Sequence, residues 1–286
     1  MTVFTDVLVV VVGVLGVASN TLWISFFMYR PGTLSKGDKL LLILSSLDLC
    51  VCVSAGVKVI LNSRYDENET VTVILVAATY LFRLSLEWTA FATCVLSVVR
   101  MIGTCWPFYK PHLSRIYLSN GVFGGYLLLR EGFCAKDFYN KYTQNIRPDP
   151  LSALTISNYL KTVTLLILVV IVGVSCVVTT VQLLKRRRGT EGEEGRCAAV
   201  SRATITILII SLMFCVFNGI LFVVFWLKFF EGIKLNGMVQ IIAQWIAVPL
   251  NSALNPCVYL VRNQEIKKQS TDRIRKMLRK PVKFPA

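Results

Sequence analysis

The sequence predicts an all-α membrane protein, a bundle of seven transmembrane helices, and three observations support that prediction. Hydrophobic residues make up 55% of the 286 residues, and the mean hydropathy of +0.62 is higher than a soluble core of this length requires. Seven apolar stretches follow one another, most of them at least the roughly 20 residues that cross ~30 Å of hydrocarbon. The basic residues are concentrated in alternate loops between these stretches.

The predicted spans lie near 5–28, 39–62, 72–103, 116–130, 153–184, 198–229 and 236–261 and form one domain, 1–261. The fourth span is short and carries Asn120, so a partly embedded loop is the alternative there. Gly121 and Gly125 have the small-xxx-small spacing that suits close helix packing. In 262–286, basic residues and apolar residues at helical spacing predict a short amphipathic cytosolic helix on anionic lipids of the inner leaflet; a disordered basic tail is the alternative for its distal half.

The distribution of charge predicts the orientation of the chain. Segments 29–39, 100–115, 185–202 and 262–286 hold 21 of the 31 lysines and arginines and six of the 16 acids, so they carry the whole net charge of +15. The positive-inside rule makes these segments cytosolic, with the N-terminus outside and the C-terminus inside. The charge is thereby explained without a nucleic-acid partner. Asn68, in the sequon Asn68-Glu69-Thr70, then lies outside as a glycosylation site.

The titratable residues argue against an enzyme. Most of the nine cysteines lie in predicted spans, and Cys134 is the one clearly outside, where we expect a free or intermolecularly paired thiol. The single histidine, His112, lies in a predicted cytosolic loop. No histidine-based metal site or catalytic triad is therefore expected.

Polar residues inside the spans are the candidates for function. The segment from Asn251 to Tyr259 reads Asn-Ser-Ala-Leu-Asn-Pro-Cys-Val-Tyr. Pro256 removes one backbone hydrogen bond and leaves a carbonyl that neighbours must satisfy, and we expect Asn251, Ser252 and Asn255 to do so. Asp48 is an ionisable group within the second span, which makes it a functional candidate by default.

These residues resemble the landmarks of rhodopsin-like (class A) G-protein-coupled receptors, over nearly the whole chain. Segment 251–259 is similar to the Asn-Pro-x-x-Tyr signature of the seventh helix. Asn20, Asp48 and Arg100 lie 28 and 52 residues apart, as that family spaces its equivalents, and Pro107 follows Arg100 by seven positions. The resemblance implies a plasma-membrane receptor that transmits an extracellular small-molecule or short-peptide signal, chemosensory ligands among them, to a heterotrimeric G protein.

The resemblance also implies roles for single residues. Polar groups of Asp48, Thr89, Asn251, Ser252 and Asn255 are expected to surround a sodium ion; the alternative is a protonated Asp48 that bonds only to Asn20 and Asn255. No other cofactor is expected. The residues of the activation switch are expected to be Arg100, which contacts the G protein, Phe108, which docks into it after Pro107, and Asn255, Pro256 and Tyr259 of the seventh helix.

The residues expected to border the ligand pocket are Lys58, Phe82, Arg83, Glu87, Trp88, Gln244 and Trp245. Arg83 and Glu87 are four residues apart on one helical face, which predicts an intrahelical ion pair. Two cations against one carboxylate favour an anionic or zwitterionic ligand. The alternative is a structural ion pair beside a lysine that extends toward water. Phe82 and Pro249 disfavour amine-binding and light-sensing roles, where the family carries an aspartate and a lysine.

Several departures from the family weaken the functional expectation. Val99 stands where the family has an acid before Arg100, the start of the sixth span offers no acid, and the sixth span lacks the family's Trp and Pro. The loss of these latch acids predicts raised basal signalling. Two other functions stay open: a signalling-silent seven-helix scaffold or heteromer partner, and, less favoured, an ion-conducting or transport protein whose path is marked by Asp48, Arg83 and Glu87.

Overall fold

A computed structural model describes residues 3–28, 36–62, 69–106, 108, 112–134, 137, 153–189, 194–229 and 246–262. These residues form seven helices and contain no strand. The helices are α1 (Val3–Met28), α2 (Lys36–Asn62), α3 (Glu69–Cys105), α4 (Leu113–Phe133), α5 (Ala153–Gly189), α6 (Glu194–Phe229) and α7 (Val248–Arg262). The predicted all-α class is confirmed for this part of the chain.

Five of the helices, α1, α2, α3, α5 and α6, are long and apolar enough to cross a membrane. The fourth predicted span is a continuous helix of 21 residues and not a loop, but it is not one of these five helices. It is less apolar than the five, because it contains Asn120, four glycines and the pair Arg130-Glu131. The seventh span is described only from residue 246, and the predicted amphipathic helix of the C-terminal tail lies outside the described residues.

The outward surface of α5 has the composition of a lipid-facing helix. Val163, Ile167, Val170, Val174 and Val177 recur at three- and four-residue intervals and are 45 to 64% exposed. Water would disfavour a continuous stripe of large apolar side chains, whereas hydrocarbon does not. The exposed stripe and the helix lengths together identify a membrane protein.

The third helix is the centre of the packing, since it contacts α2, α4, α5 and α6. The seventh packs against α1, α2 and α6. The contact of α1 with α2 and α7 is close because Gly16 has no side chain: a Cβ atom there would overlap Sγ of Cys52 and lie 3.2 Å from Cβ of Ala253. This approach brings the polar residues of the three helices together.

The close contact between α4 and α3 is at a glycine other than the two predicted ones. A Cβ atom added at Gly121 or Gly125 meets nothing within 4 Å among the described residues, so the predicted role of this pair in close packing is wrong for this part of the chain. The contact is at Gly124, where a Cβ atom would lie 2.6 Å from Cη2 of Trp88. The indole ring of α3 thus occupies the space that Gly124 leaves on α4.

Two ends of the bundle are used below as landmarks. The third helix carries Arg83 in its first half and Arg100 near its finish. We call the end with Arg83, the finish of α4 and the start of α5 the Arg83 end. The opposite end, with the start of α2 and the start of α4, is the Arg100 end.

Candidate functional site

The centre of the site is Asp48, whose side chain is fully buried where α2 faces α7. Nδ2 of Asn255 donates a hydrogen bond to Oδ2 of Asp48 at 2.8 Å. The side chains of Thr89 from α3 and Ser252 from α7 also lie beside the carboxylate. Asn251, at 4% exposure, is buried one residue before Ser252. Residues that are far apart in the sequence therefore meet in one polar cluster between α2, α3 and α7.

The carbonyl freed by Pro256 is satisfied from another helix. Proline has no N–H, so the carbonyl oxygen of Ser252, four residues earlier, loses its helical donor. Nδ2 of Asn20, on α1, donates to that oxygen at 3.2 Å and to the carbonyl of Gly16 at 2.9 Å. The expectation that Asn251, Ser252 and Asn255 would supply the donor is corrected: these side chains belong to α7 itself, and the donor comes from α1.

Four buried oxygens of α2, α3 and α7 have no hydrogen-bond partner among the described residues. Three of them, Oδ1 of Asp48, Oγ1 of Thr89 and Oδ1 of Asn255, belong to the cluster at the carboxylate, and the fourth is Oδ1 of Asn251, one residue before Ser252. An unsatisfied buried polar atom costs about 1–3 kcal/mol, so the three unsatisfied oxygens at the carboxylate are a feature that calls for a ligand or water. Oxygen-only donors with one carboxylate suit a hard cation, and the single carboxylate matches a monovalent one. The residues present therefore fit the sodium ion that the resemblance implies.

A second polar cluster, which we call the charged network, joins α3, α4 and α5 at the Arg83 end. Glu131, at the end of α4, is its hub. Arg83 donates to both carboxylate oxygens of Glu131, from Nε at 2.7 Å and from Nη2 at 3.1 Å. The hydroxyl of Ser157 donates to the same carboxylate at 2.9 Å, and Arg83 also donates to Oδ1 of Asn158 at 2.6 Å.

The other carboxylate of the charged network is Glu87. Arg130 of α4 donates to both of its oxygens, from Nη1 at 2.8 Å and from Nη2 at 2.6 Å. Arg130 also reaches Glu131 at 2.7 Å, and Nζ of Lys161 lies 3.9 Å from Glu87. Arg83 and Glu87 thus make their ion pairs across to α4, and the predicted pairing of the two within α3 is replaced by two bidentate pairs between helices.

The four charged side chains of the network are nearly inaccessible to solvent, unlike those of ion pairs at a protein surface. The side chains of Glu131, Glu87 and Arg130 are 0, 3 and 7% exposed, and that of Arg83 is 11% exposed. Charges in such surroundings are stable only when each is paired and hydrogen-bonded. Each of these four groups meets that condition through the contacts above.

The remaining residues expected at the ligand pocket are dispersed. Phe82 is 5% exposed and packs in the apolar core with Val51 and Leu86. Trp88 faces Gly124 of α4, and Lys58 is half-buried near the end of α2. Gln244 and Trp245 lie outside the described residues, as does the sequon residue Asn68.

Two of the residues expected to form the switch, Arg100 and Phe108, lie at the Arg100 end. Arg100 is half-buried, and the negative charge of Asp38, in the first turn of α2, acts on it. Phe108 is 98% exposed and Trp106 is 61% exposed. Pro107 lies outside the described residues, and so does the side chain of Tyr259, whose backbone belongs to α7.

Sequence reasoning missed four residues of these sites. Arg130, Glu131 and Lys161 were detectable as charges next to or within apolar stretches, which is the signal that singled out Asp48. Asp38 was overlooked because an acid was sought beside Arg100 in sequence and at the start of the sixth span. Comparison with the known protein families and with the curated proteins finds no match for the chain.

Proposed function

We propose that this chain is a rhodopsin-like seven-helix receptor that couples an extracellular small molecule or short peptide to a heterotrimeric G protein. The observation that carries the proposal is that α1 and α2 both bond to α7 close to Pro256. Asn255 of α7 donates to the Asp48 carboxylate of α2, and Asn20 of α1 donates to the Ser252 carbonyl of α7. Asn20, Asp48 and Asn255 are among the landmarks on which the resemblance rests.

The polar cluster supports a switching role for α7. An apolar core has one preferred packing, whereas a cluster with unsatisfied oxygens changes its free energy when an ion or water enters or leaves. Pro256 weakens the helix at this level because one backbone hydrogen bond is missing. A rotation of α7 about this point is therefore less costly than elsewhere along the helix.

The Arg100 end supports contact with a protein partner in the cytosol. Two large aromatic side chains, Trp106 and Phe108, project from the end of α3 and the turn that follows. Exposed aromatic residues are the anchors that protein interfaces favour. In the proposed orientation this end is cytosolic, which places the aromatic pair and Arg100 where a G protein binds.

The charged network changes the expectation for the ligand. Arg83 and Glu87 bind residues of α4 and α5 with short, bidentate geometry, so a ligand would have to displace those contacts to bind either group. We propose that the network holds the extracellular ends of α3, α4 and α5 together and that the ligand contacts other residues. This pairing also favours a structural role over an ion path through α3.

The test of the proposal is catalysed nucleotide exchange. The chain is purified, embedded in lipid nanodiscs and mixed with each family of heterotrimeric G protein, and binding of a non-hydrolysable GTP analogue is measured. We expect faster binding with at least one family and a return to the empty-nanodisc rate with Arg100→Ala. Arg115→Ala removes an exposed arginine from the same end and should leave the rate unchanged. Rates equal to the empty-nanodisc rate for all families would instead support the signalling-silent scaffold.

The proposed orientation has a separate test. Asn68 carries a glycan only if the loop between α2 and α3 enters the secretory lumen. Treatment of cell membranes with a peptide N-glycosidase should therefore increase the electrophoretic mobility of the wild-type chain and leave Asn68→Gln unchanged. An unglycosylated wild-type chain whose 63–68 loop is protected from an external protease would reverse the orientation.

A further inference from the structure

Five hydroxyl side chains converge at the Arg100 end, in helices whose other residues are mostly aliphatic. They belong to Ser97 of α3, Ser175 and Thr179 of α5, and Thr204 and Ser211 of α6, and all five are buried. With Arg100 they line one small cavity between the three helices, with room for about one water molecule. This set was not singled out by any motif in the sequence.

Ser97 and Ser211 form the shortest contact in the set, with 2.6 Å between the two hydroxyl oxygens. Ser97 donates its single hydroxyl hydrogen to the carbonyl of Thr93 at 2.9 Å. When Ser97 donates to that carbonyl, Ser211 is the donor in the bond between the two serines. Ser211 also lies beside the thiol of Cys176, so one residue of α6 bonds to α3 and touches α5.

The direction of these bonds determines what the cavity can hold. Thr179 donates its hydrogen to the carbonyl of Ser175 at 2.7 Å, and Ser97 lies 2.9 Å from the carbonyl of Thr93, to which it can donate in the same way. The oxygens of both residues then present lone pairs, which accept from a guanidinium or a water and repel an anion. Arg100 is the cation that lines the same cavity.

We propose that these hydroxyls form a neutral clasp that closes α6 onto α3 and α5 around Arg100 and holds the receptor in its inactive state. The clasp takes the place of the acidic latch that the sequence lacks at Val99 and at the start of the sixth span. It is broken when α6 moves away from α3, because Ser211 is bonded to α3 through its side chain alone. The link to signalling rests on the proposed function, whereas the clasp itself is a contact within the bundle.

The test uses Ser211→Ala, with Thr180→Val as the matched control. Thr180 is next to Thr179 but exposed, and it donates only to its own helix, to the carbonyl of Cys176 at 2.8 Å. Two readouts are taken on the full chain: hydrogen exchange of the amides of 204–211 in nanodiscs, and basal G-protein dissociation in cells. An interhelical hydrogen bond in a membrane is worth on average about a threefold change in population, so each readout should rise about threefold.

Ser97→Ala provides a second variant. Because it removes the same bond, Ser97→Ala combined with Ser211→Ala should raise exchange no further than either alone. Faster exchange in 204–211 without any G-protein signal would support the clasp and overturn the proposed function. Exchange in Ser211→Ala equal to the wild type, or an equal rise in Thr180→Val, would overturn the clasp.

Discussion

Replacement of Glu131 by glutamine tests whether the charged network is a structural cross-link. The change keeps the shape of the side chain and removes its charge. Glu131 accepts from Arg83, Arg130 and Ser157, and its side chain is fully buried. In Glu131→Gln one of the acceptor oxygens becomes an NH2 group that faces guanidinium N–H groups. Two arginines and Lys161 are then left with Glu87 as the carboxylate of the network.

The burial of the network sets the expected magnitude. Loss of one partner from a buried ion pair costs about 3–5 kcal/mol, because the other charge stays buried without compensation. An exposed ion pair contributes about 0–1 kcal/mol. With side-chain exposures of 0 to 11% across both bidentate pairs, we expect Glu131→Gln to lower the free energy of unfolding by about 3–5 kcal/mol.

The assay is unfolding of the purified chain by SDS in mixed micelles, followed by tryptophan fluorescence. Arg115→Gln is the control, since it removes an exposed charge from the other end of α4, and it should change the stability by less than about 0.5 kcal/mol. Arg83→Met combined with Glu131→Leu removes both charges of one pair, and it should destabilise by less than the sum of the two single changes. A stability of Glu131→Gln within about 1 kcal/mol of the wild type would refute the cross-link.

Three further predictions concern helix packing and the Asp48 cluster. Gly124→Ala should lower the free energy of unfolding by about 1–3 kcal/mol, because the new methyl group overlaps the indole ring of Trp88. Gly125→Ala should not, since its methyl group meets nothing within 4 Å among the described residues. Equal effects of the two changes in the same SDS titration would contradict the contact at Gly124. Asn20→Leu should lower the free energy of unfolding by about 1–3 kcal/mol, because the carbonyl freed by the proline of α7 loses its donor. Thr21→Val, at the exposed neighbouring position, should leave the stability unchanged. An Asn20→Leu variant as stable as the wild type would mean that the carbonyl finds another partner. Sodium at ten times its dissociation constant should raise the free energy of unfolding by about 1.4 kcal/mol relative to N-methylglucamine, and Asp48→Asn should abolish this difference. Equal unfolding of the wild type in the two salts would instead support a neutral, protonated Asp48 without a bound ion.

The all-α class was predictable from the sequence because it depends on properties that act along the chain. The length of an apolar stretch is set by the thickness of the hydrocarbon layer that it crosses. Both ends of α1, α2 and α3 lie within three residues of the predicted ends. The placement of Thr89, Ser252 and Asn255 around Asp48 was expected from the resemblance to the family. A charged group in an apolar span needs partners, whichever helices supply them.

The partners themselves were not predictable where they depend on how neighbouring helices are rotated and offset. Arg83 and Glu87 satisfy the four-residue rule for an ion pair, but Arg130 and Glu131 offer bidentate contacts across the interface, which are stronger. Gly124 was missed in favour of a spacing motif because the sequence does not show which face of α4 meets Trp88.

The hydrogen bond to the Ser252 carbonyl was not predictable for the same reason. The sequence shows that a carbonyl is freed, since that follows from the missing N–H of proline. It does not show that α1 supplies the donor, because the approach of Asn20 to Ser252 depends on the close contact at Gly16. Long-range donors of this kind appear only when the packing of the helices is known.

The measurement that tests the central claim most directly is basal G-protein dissociation in cells, taken across the G-protein families. The wild-type chain and Arg100→Ala are compared at matched surface expression, with mock-transfected cells as the baseline. A receptor with its cytosolic switch at Arg100 should give a wild-type signal above the baseline for at least one family, and Arg100→Ala should remove it. A wild-type signal at the baseline for every family, or one that Arg100→Ala leaves unchanged, would contradict the claim.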